Sequence, residues 1–197
     1  FAPLSPAYLY VEVIQPLLKH HINTQAEKKI IGEKLLKVYQ HISHLSNERI
    51  LISPRELQMM ALLAIKKYQE QPQPQLDECL SYAVHMIGTQ LVPPNDKIHF
   101  EQWCTTNNFK KPTLPPPPSL FISPVKEKSK SFVVTGSRNA AYNQILDLLA
   151  IRTLKKSNTA NEALKYAGLG GMVLEGEPGV GKSHFVIDTL INQGFTQ

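Results

Sequence analysis

The residues Gly176-Glu177-Pro178-Gly179-Val180-Gly181-Lys182-Ser183 set glycines, a lysine and a hydroxyl in the order G-x-x-x-x-G-K-[ST]. Each residue type suits the binding of a polyanion. Gly176, Gly179 and Gly181 carry no Cβ, so the backbone can curl until successive N–H groups point at phosphate oxygens. Lys182 supplies a compact cation for the β- and γ-phosphates of a nucleotide, and the Ser183 hydroxyl is a ligand for Mg²⁺. Glu177, Pro178 and Val180 complete the wall of the loop. His184 follows the metal-ligand position and either lines the nucleotide site or packs. The competing reading of the string is a Gly/Pro turn between two buried elements.

The flanks supply the elements that such a loop needs. Met172-Val173-Leu174-Glu175 is a short apolar run suited to a buried strand. From Lys182 to Ile191, Phe185, Val186, Leu190 and Ile191 recur at helical spacing, which predicts a helix whose N–H-rich, positive end faces the same anion. Glu175 belongs to the strand end rather than to catalysis.

Binding is not hydrolysis. Turnover takes a further acidic residue for metal and water, a polar sensor and an arginine on the γ-phosphate, and only His184 to Gln197 follow Ser183. No catalytic residue is therefore assigned around the loop. A parallel sheet also needs several further βα units to cover its first strand. With Phe1 where an initiator Met would stand, the chain reads as a window from a longer polypeptide. Alone, it is expected to bind nucleotide weakly at most and not to hydrolyse it. Val173 and Leu174 would lack partners, leaving strand and loop disordered or paired with another chain.

A proline-rich segment divides the sequence. Residues 105–131 run through Pro112, Pro115 to Pro118 and Pro124, a composition that favours polyproline II at about 3 Å per residue and so a semi-rigid spacer, or else a ligand for an SH3 or WW domain. Before it, residues 1–104 predict a helical bundle. Ser5-Pro6 starts a helix ending near His20-His21, with Pro16 kinking or interrupting it. Thr24 with Glu27 caps a second, with Ile30, Ile31, Leu35, Val38, Tyr39, Ile42 and Leu45 on one face. Ser53-Pro54-Arg55-Glu56 caps a third, and Leu76, Leu80, Ala83, Val84 and Ile87 make a fourth that halts near Gly88. Phe100, Trp103 and Cys104 end a short fifth. After the spacer, residues 132–197 predict a strand-like start at Phe132 to Val134, helices over 138–154 and 161–166, then strand, loop and helix. The fold class is mainly α: a helical bundle, a proline-rich linker, and the first strand and helix of a truncated α/β P-loop core.

Composition bounds the rest. The chain is 42% hydrophobic and 19% charged, ordinary globular material. No apolar stretch approaches the roughly 20 residues that span a bilayer, and no signal peptide is visible. Cys79 and Cys104 have no CxxC or CxxH partner, which predicts buried free thiols in a reducing compartment. The reading is of a cytoplasmic protein without a membrane partner. The net charge of +5 is scattered, and Lys126, Lys128 and Lys130 read as a solvated linker rather than a nucleic-acid contact. His20-His21, His41 and His44 lack neighbouring ligands and read as surface or boundary histidines.

The segment from Gly171 through the loop to Phe185 resembles the opening of an AAA+ ATPase core, particularly the MoxR, midasin and dynein-like branch, where a GEPGVGK-type loop is familiar. Leu51-Ile52-Ser53-Pro54-Arg55-Glu56-Leu57 is similar to the start of the AAA+ lid helix that carries the sensor-2 arginine, and the residues from Phe1 to Leu9 resemble the beginning of a lid. The resemblance implies ATP and Mg²⁺ as ligands, and only through it do Tyr142 and Gln144, upstream of the loop, become candidates to approach the adenine. It also implies a protein or complex as remodelling substrate, other AAA+ modules in the same chain or a ring as partners, and a window from one module's lid to the next module's loop. Arg55 would then face the γ-phosphate of a nucleotide held by an upstream core. Otherwise it is a solvated first-turn residue; Arg49 is a second candidate. The other functional class is a scaffold or regulatory protein with a structural or switch-type nucleotide site.

Overall fold

Ser5, Thr24 and Ser53 each open a helix in the computed structural model, which describes residues 4–45, 50–114, 136–157 and 172–195. Ser5 Oγ accepts from the Tyr8 amide at 3.2 Å. Thr24 Oγ1 accepts from the Glu27 amide at 3.3 Å and donates to the Glu27 carboxylate at 2.5 Å. Ser53 and Glu56 form a reciprocal box: the Ser53 amide donates to Glu56 Oε2 at 2.7 Å, and Ser53 Oγ accepts from the Arg55 amide at 3.2 Å. Such caps satisfy helix-start amides that have no intrahelical partner.

The first helix runs as α1 (Pro6–Tyr8), a π-turn (Leu9–Ile14) and α2 (Gln15–His21). Pro16 neither breaks nor simply kinks it. Proline lacks an N–H and its ring crowds the carbonyl four residues back, and the wider π-turn just ahead absorbs that conflict. Then come α3 (Gln25–His44) and α4 (Pro54–Glu70). α4 packs against α2, α3 and α5 (Leu76–Ala83), and so lies at the centre of this unit. Its Leu57, Met60, Ala61, Ala64 and Ile65 are buried, as are Ile31, Leu35, Val38 and Ile42 of α3. Burial of each large aliphatic side chain contributes on the order of 1.5–3 kcal/mol.

Two expectations need correcting. Ile30 is exposed, because the buried stripe of α3 runs through Ile31 and Leu35 instead. Gly88 does not end the fourth helix; a π-turn (Val84–Gly88) leads into α6 (Thr89–Leu91). The glycine packs closely on α7, since a Cβ there would lie 3.3 Å from Phe100 Cζ. That helix, α7 (Lys97–Thr106), follows a 3₁₀ turn (Pro94–Asp96) and buries Phe100 and Cys104.

The chain divides into two compact units, the first built chiefly on residues 4–112 and the second on 136–149 with 172–195. The second holds α8 (Gly136–Ser157) as far as Leu149, the helix beginning two residues before its expected start at Arg138, and α9 (Lys182–Asn192). Ile145 and Phe185 are its buried centre, with Ala141, Tyr142, Leu149, Met172, Leu174 and Val186 packed around them.

The protein is mainly helical, and no strand forms among the described residues. The strand expected at Met172 to Glu175 is thus not seen. A strand exists through a hydrogen-bonded neighbour, and no described segment pairs with this one. Its side chains still alternate: Met172 and Leu174 pack on the core while Val173 and Glu175 are exposed. Leu174 is therefore not left without contacts. The expected elements at Phe132 to Val134 and Asn161 to Tyr166, the prolines from Pro115 to Pro124, the Lys126 to Lys130 cluster and Arg49 lie outside the described residues.

Candidate functional site

The glycine loop leaves the small core at Leu174, turns at Pro178-Gly179 and runs directly into α9. Gly179 and Gly181 adopt φ of +81°, a left-handed conformation that costs glycine little and most other residues about 1 kcal/mol or more. Gly181 is the N-cap of α9, its carbonyl accepting from the Phe185 amide at 2.9 Å. Residues 176–180 are exposed, Gly181 and Lys182 half-buried, and Ser183 and His184 exposed in the first turn of α9.

Lys182 turns back across the loop. Its Nζ donates to the Gly176 carbonyl at 2.7 Å and the Glu177 carbonyl at 2.8 Å, closing the turn with a charge-assisted clasp. On the opposite limb, Arg138 Nη2 of α8 donates to the Val180 carbonyl at 3.1 Å. The loop is thus held at both shoulders by cations. An anion at the helix start meets the Lys182 ammonium, the N-terminal amides of α9 and the Ser183 hydroxyl.

α9 is held by what lies beneath it. Phe185 is buried, and the fully buried Thr189 satisfies its hydroxyl by donating to the Phe185 carbonyl at 2.6 Å. Tyr142 sits on this core, and burial raises its hydroxyl above the ordinary tyrosine range. Gln144 is half-buried on the same helix.

The structure brings Gly176, Glu177, Val180 and Lys182 together and adds Arg138, which the sequence offered only as the start of a helix. Nothing in the local pattern marks it, because it lies 42 residues from its partner. Arg55 belongs to the other unit. It is exposed in the first turn of α4, where its amide takes part in the Ser53 cap.

Among the described residues, no group of three or more His, Cys, Asp or Glu side chains is placed to hold a metal ion. A Mg²⁺ at this loop would therefore rest on Ser183, phosphate oxygens and water, a set that suits a cation which keeps much of its hydration. Among the same residues, no helix is long and apolar enough to cross a membrane. Neither a protein-family model, nor a curated protein, nor a solved structure matches the chain.

Proposed function

We propose that the chain binds ATP with Mg²⁺ through residues 176–184. In a longer polypeptide of AAA+ type, hydrolysis at this loop would drive the remodelling of a protein or complex. One observation carries the reading: the G-x-x-x-x-G-K-S string enters a helix through a left-handed Gly181, with the Lys182 ammonium folded over the loop. A Gly/Pro turn chosen only for chain reversal has no need of a lysine clasp, of a glycine as N-cap, or of a hydroxyl in the first helical turn.

Each residue has a task in this proposal. The loop amides and the start of α9 receive phosphate oxygens. Lys182 exchanges its carbonyl partners for phosphate, and Ser183 orients the metal, which when bound offsets phosphate charge. The alternation of Met172 to Glu175 supports a segment ready to serve as a strand once a neighbour pairs with it. Partners would be a protein substrate and further modules of the same kind, within one chain or in a ring.

The test is titration of the protein with ATP and Mg²⁺ while loop amide resonances are followed, in parallel with Lys182→Ala.

A further inference from the structure

We infer that Arg138 is a positioning residue of the phosphate loop: by holding the Val180 carbonyl, it turns the Gly181 N–H toward the bound phosphates. The inference rests on the phosphate-binding reading of residues 176–183. Arg138 Nη2 donates to Val180 O at 3.1 Å. The peptide between Val180 and Gly181 is trans, as there are no cis bonds among the described residues. In a planar trans peptide the C=O and N–H point in opposite directions. A donor that fixes the Val180 carbonyl therefore fixes the Gly181 N–H on the other side.

This peptide needs fixing more than its neighbours do. Glycines flank Val180, both at φ +81°, and the absence of a Cβ at Gly181 lets the unit rotate at little steric cost. Left free, the amide would sample orientations useless to an anion, and binding would have to supply the ordering. The brace is anchored well. Arg138 stands in the first turn of α8, and that helix packs through Ile145 and Tyr142 on Phe185 of α9, the helix that the loop enters. Both ends of the contact therefore belong to one packed body. Before nucleotide binds, Lys182 holds the other limb through Gly176 and Glu177; Arg138, whose partner is the Val180 carbonyl, keeps its hold when Lys182 turns to phosphate.

The experiment titrates the full chain with Mg²⁺ and ATP, comparing wild type, Arg138→Ala, Arg138→Lys and Lys182→Ala. The Gly181 amide is followed by ¹⁵N NMR and helix content by circular dichroism. Loss of one charge-assisted hydrogen bond predicts that Arg138→Ala weakens ATP binding about tenfold. The same variant should displace the Gly181 amide resonance before any nucleotide is added, and Arg138→Lys should recover part of both. Should Arg138→Ala lose its helix content, Arg138→Lys and Arg138→Gln decide by the same two readings. Wild-type affinity in the Arg138 variants overturns the inference. So does weakened affinity with an unmoved Gly181 amide in the nucleotide-free protein, which would make Arg138 a direct contact. If Lys182→Ala loses ATP while Arg138→Ala does not, the brace alone fails. If Lys182→Ala binds like wild type, the phosphate-binding reading falls and the brace with it.

Discussion

His41 lies flat against Trp103, with ring centroids 4.2 Å apart and planes 4° from parallel. Phe100 extends the stack, its centroid 6.0 Å from each of the two rings. The His41 Nε2 is buried and has no hydrogen-bond partner among the described residues. Burial first, and the charge of nearby His44 second, hold this imidazole below its ordinary value of 6.5. Folding therefore favours the neutral ring over the protonated one.

The sign of the pH effect follows. Between the lowered folded value and 6.5 the unfolded chain binds the proton more readily, so stability rises with pH across that window. The contribution is present above about 6.5 and is lost as pH falls through the folded value. We predict that the urea midpoint of the first unit drops between pH 7 and pH 5, and that His41→Phe, which keeps a ring on Trp103, flattens that slope. An unchanged slope in the variant would assign the pH dependence to other groups.

Gly32 of α3 faces Tyr10 so closely that a built Cβ would lie 2.7 Å from its Cδ2 and nearer still to Cε2. Alanine normally favours a helix interior over glycine by roughly 0.5–1 kcal/mol. Here overpacking, typically about 1–3 kcal/mol, opposes that gain. Gly32→Ala should therefore destabilise the protein by about 1–2 kcal/mol in denaturant titrations. In a Tyr10→Ala background the same change should cost less or stabilise. Equal costs in both backgrounds would show that the ring is not the obstacle.

Cys79 and Cys104 are free and buried. Burial is the first cause that pushes the Cys79 thiol up to about 11 and the Cys104 thiol up to about 12. Thiolate is the reactive form, so maleimide at pH 8 should label neither residue in the folded protein and both in denaturant. Rapid labelling of the native protein would contradict their placement in the core.

What was legible in the sequence was local. Ser5, Thr24 and Ser53 announce helix starts because a cap and its target amide lie within three residues, and the stripe from Ile30 to Leu45 announces a buried face through its spacing, although Ile30 itself is exposed. The glycine loop and its exit into a helix were legible for the same reason. Pro16 marks a disturbance in the helix without specifying its form, since whether a helix breaks or widens depends on the packing of Leu9, Val13 and Ile14 around it. The segment from Met172 to Glu175 shows the limit of local reading, because alternation marks a strand's faces while pairing depends on a distant neighbour. Arg138 was invisible as a site residue: its partner is the Val180 carbonyl, and a backbone acceptor leaves no signature in residue types. Thr189 reads as polar, yet it is fully buried because its hydroxyl is satisfied one turn back.

The central claim is that residues 176–184 receive the phosphates of ATP, and amide NMR during titration with Mg²⁺ and ATP tests it most directly. The account predicts saturable shifts at Gly179, Gly181, Lys182 and Ser183, weakened at least tenfold in Lys182→Ala through loss of its charge-assisted contacts. Loop amides that do not move at saturating ATP, or a Lys182→Ala protein that binds like wild type, would contradict it.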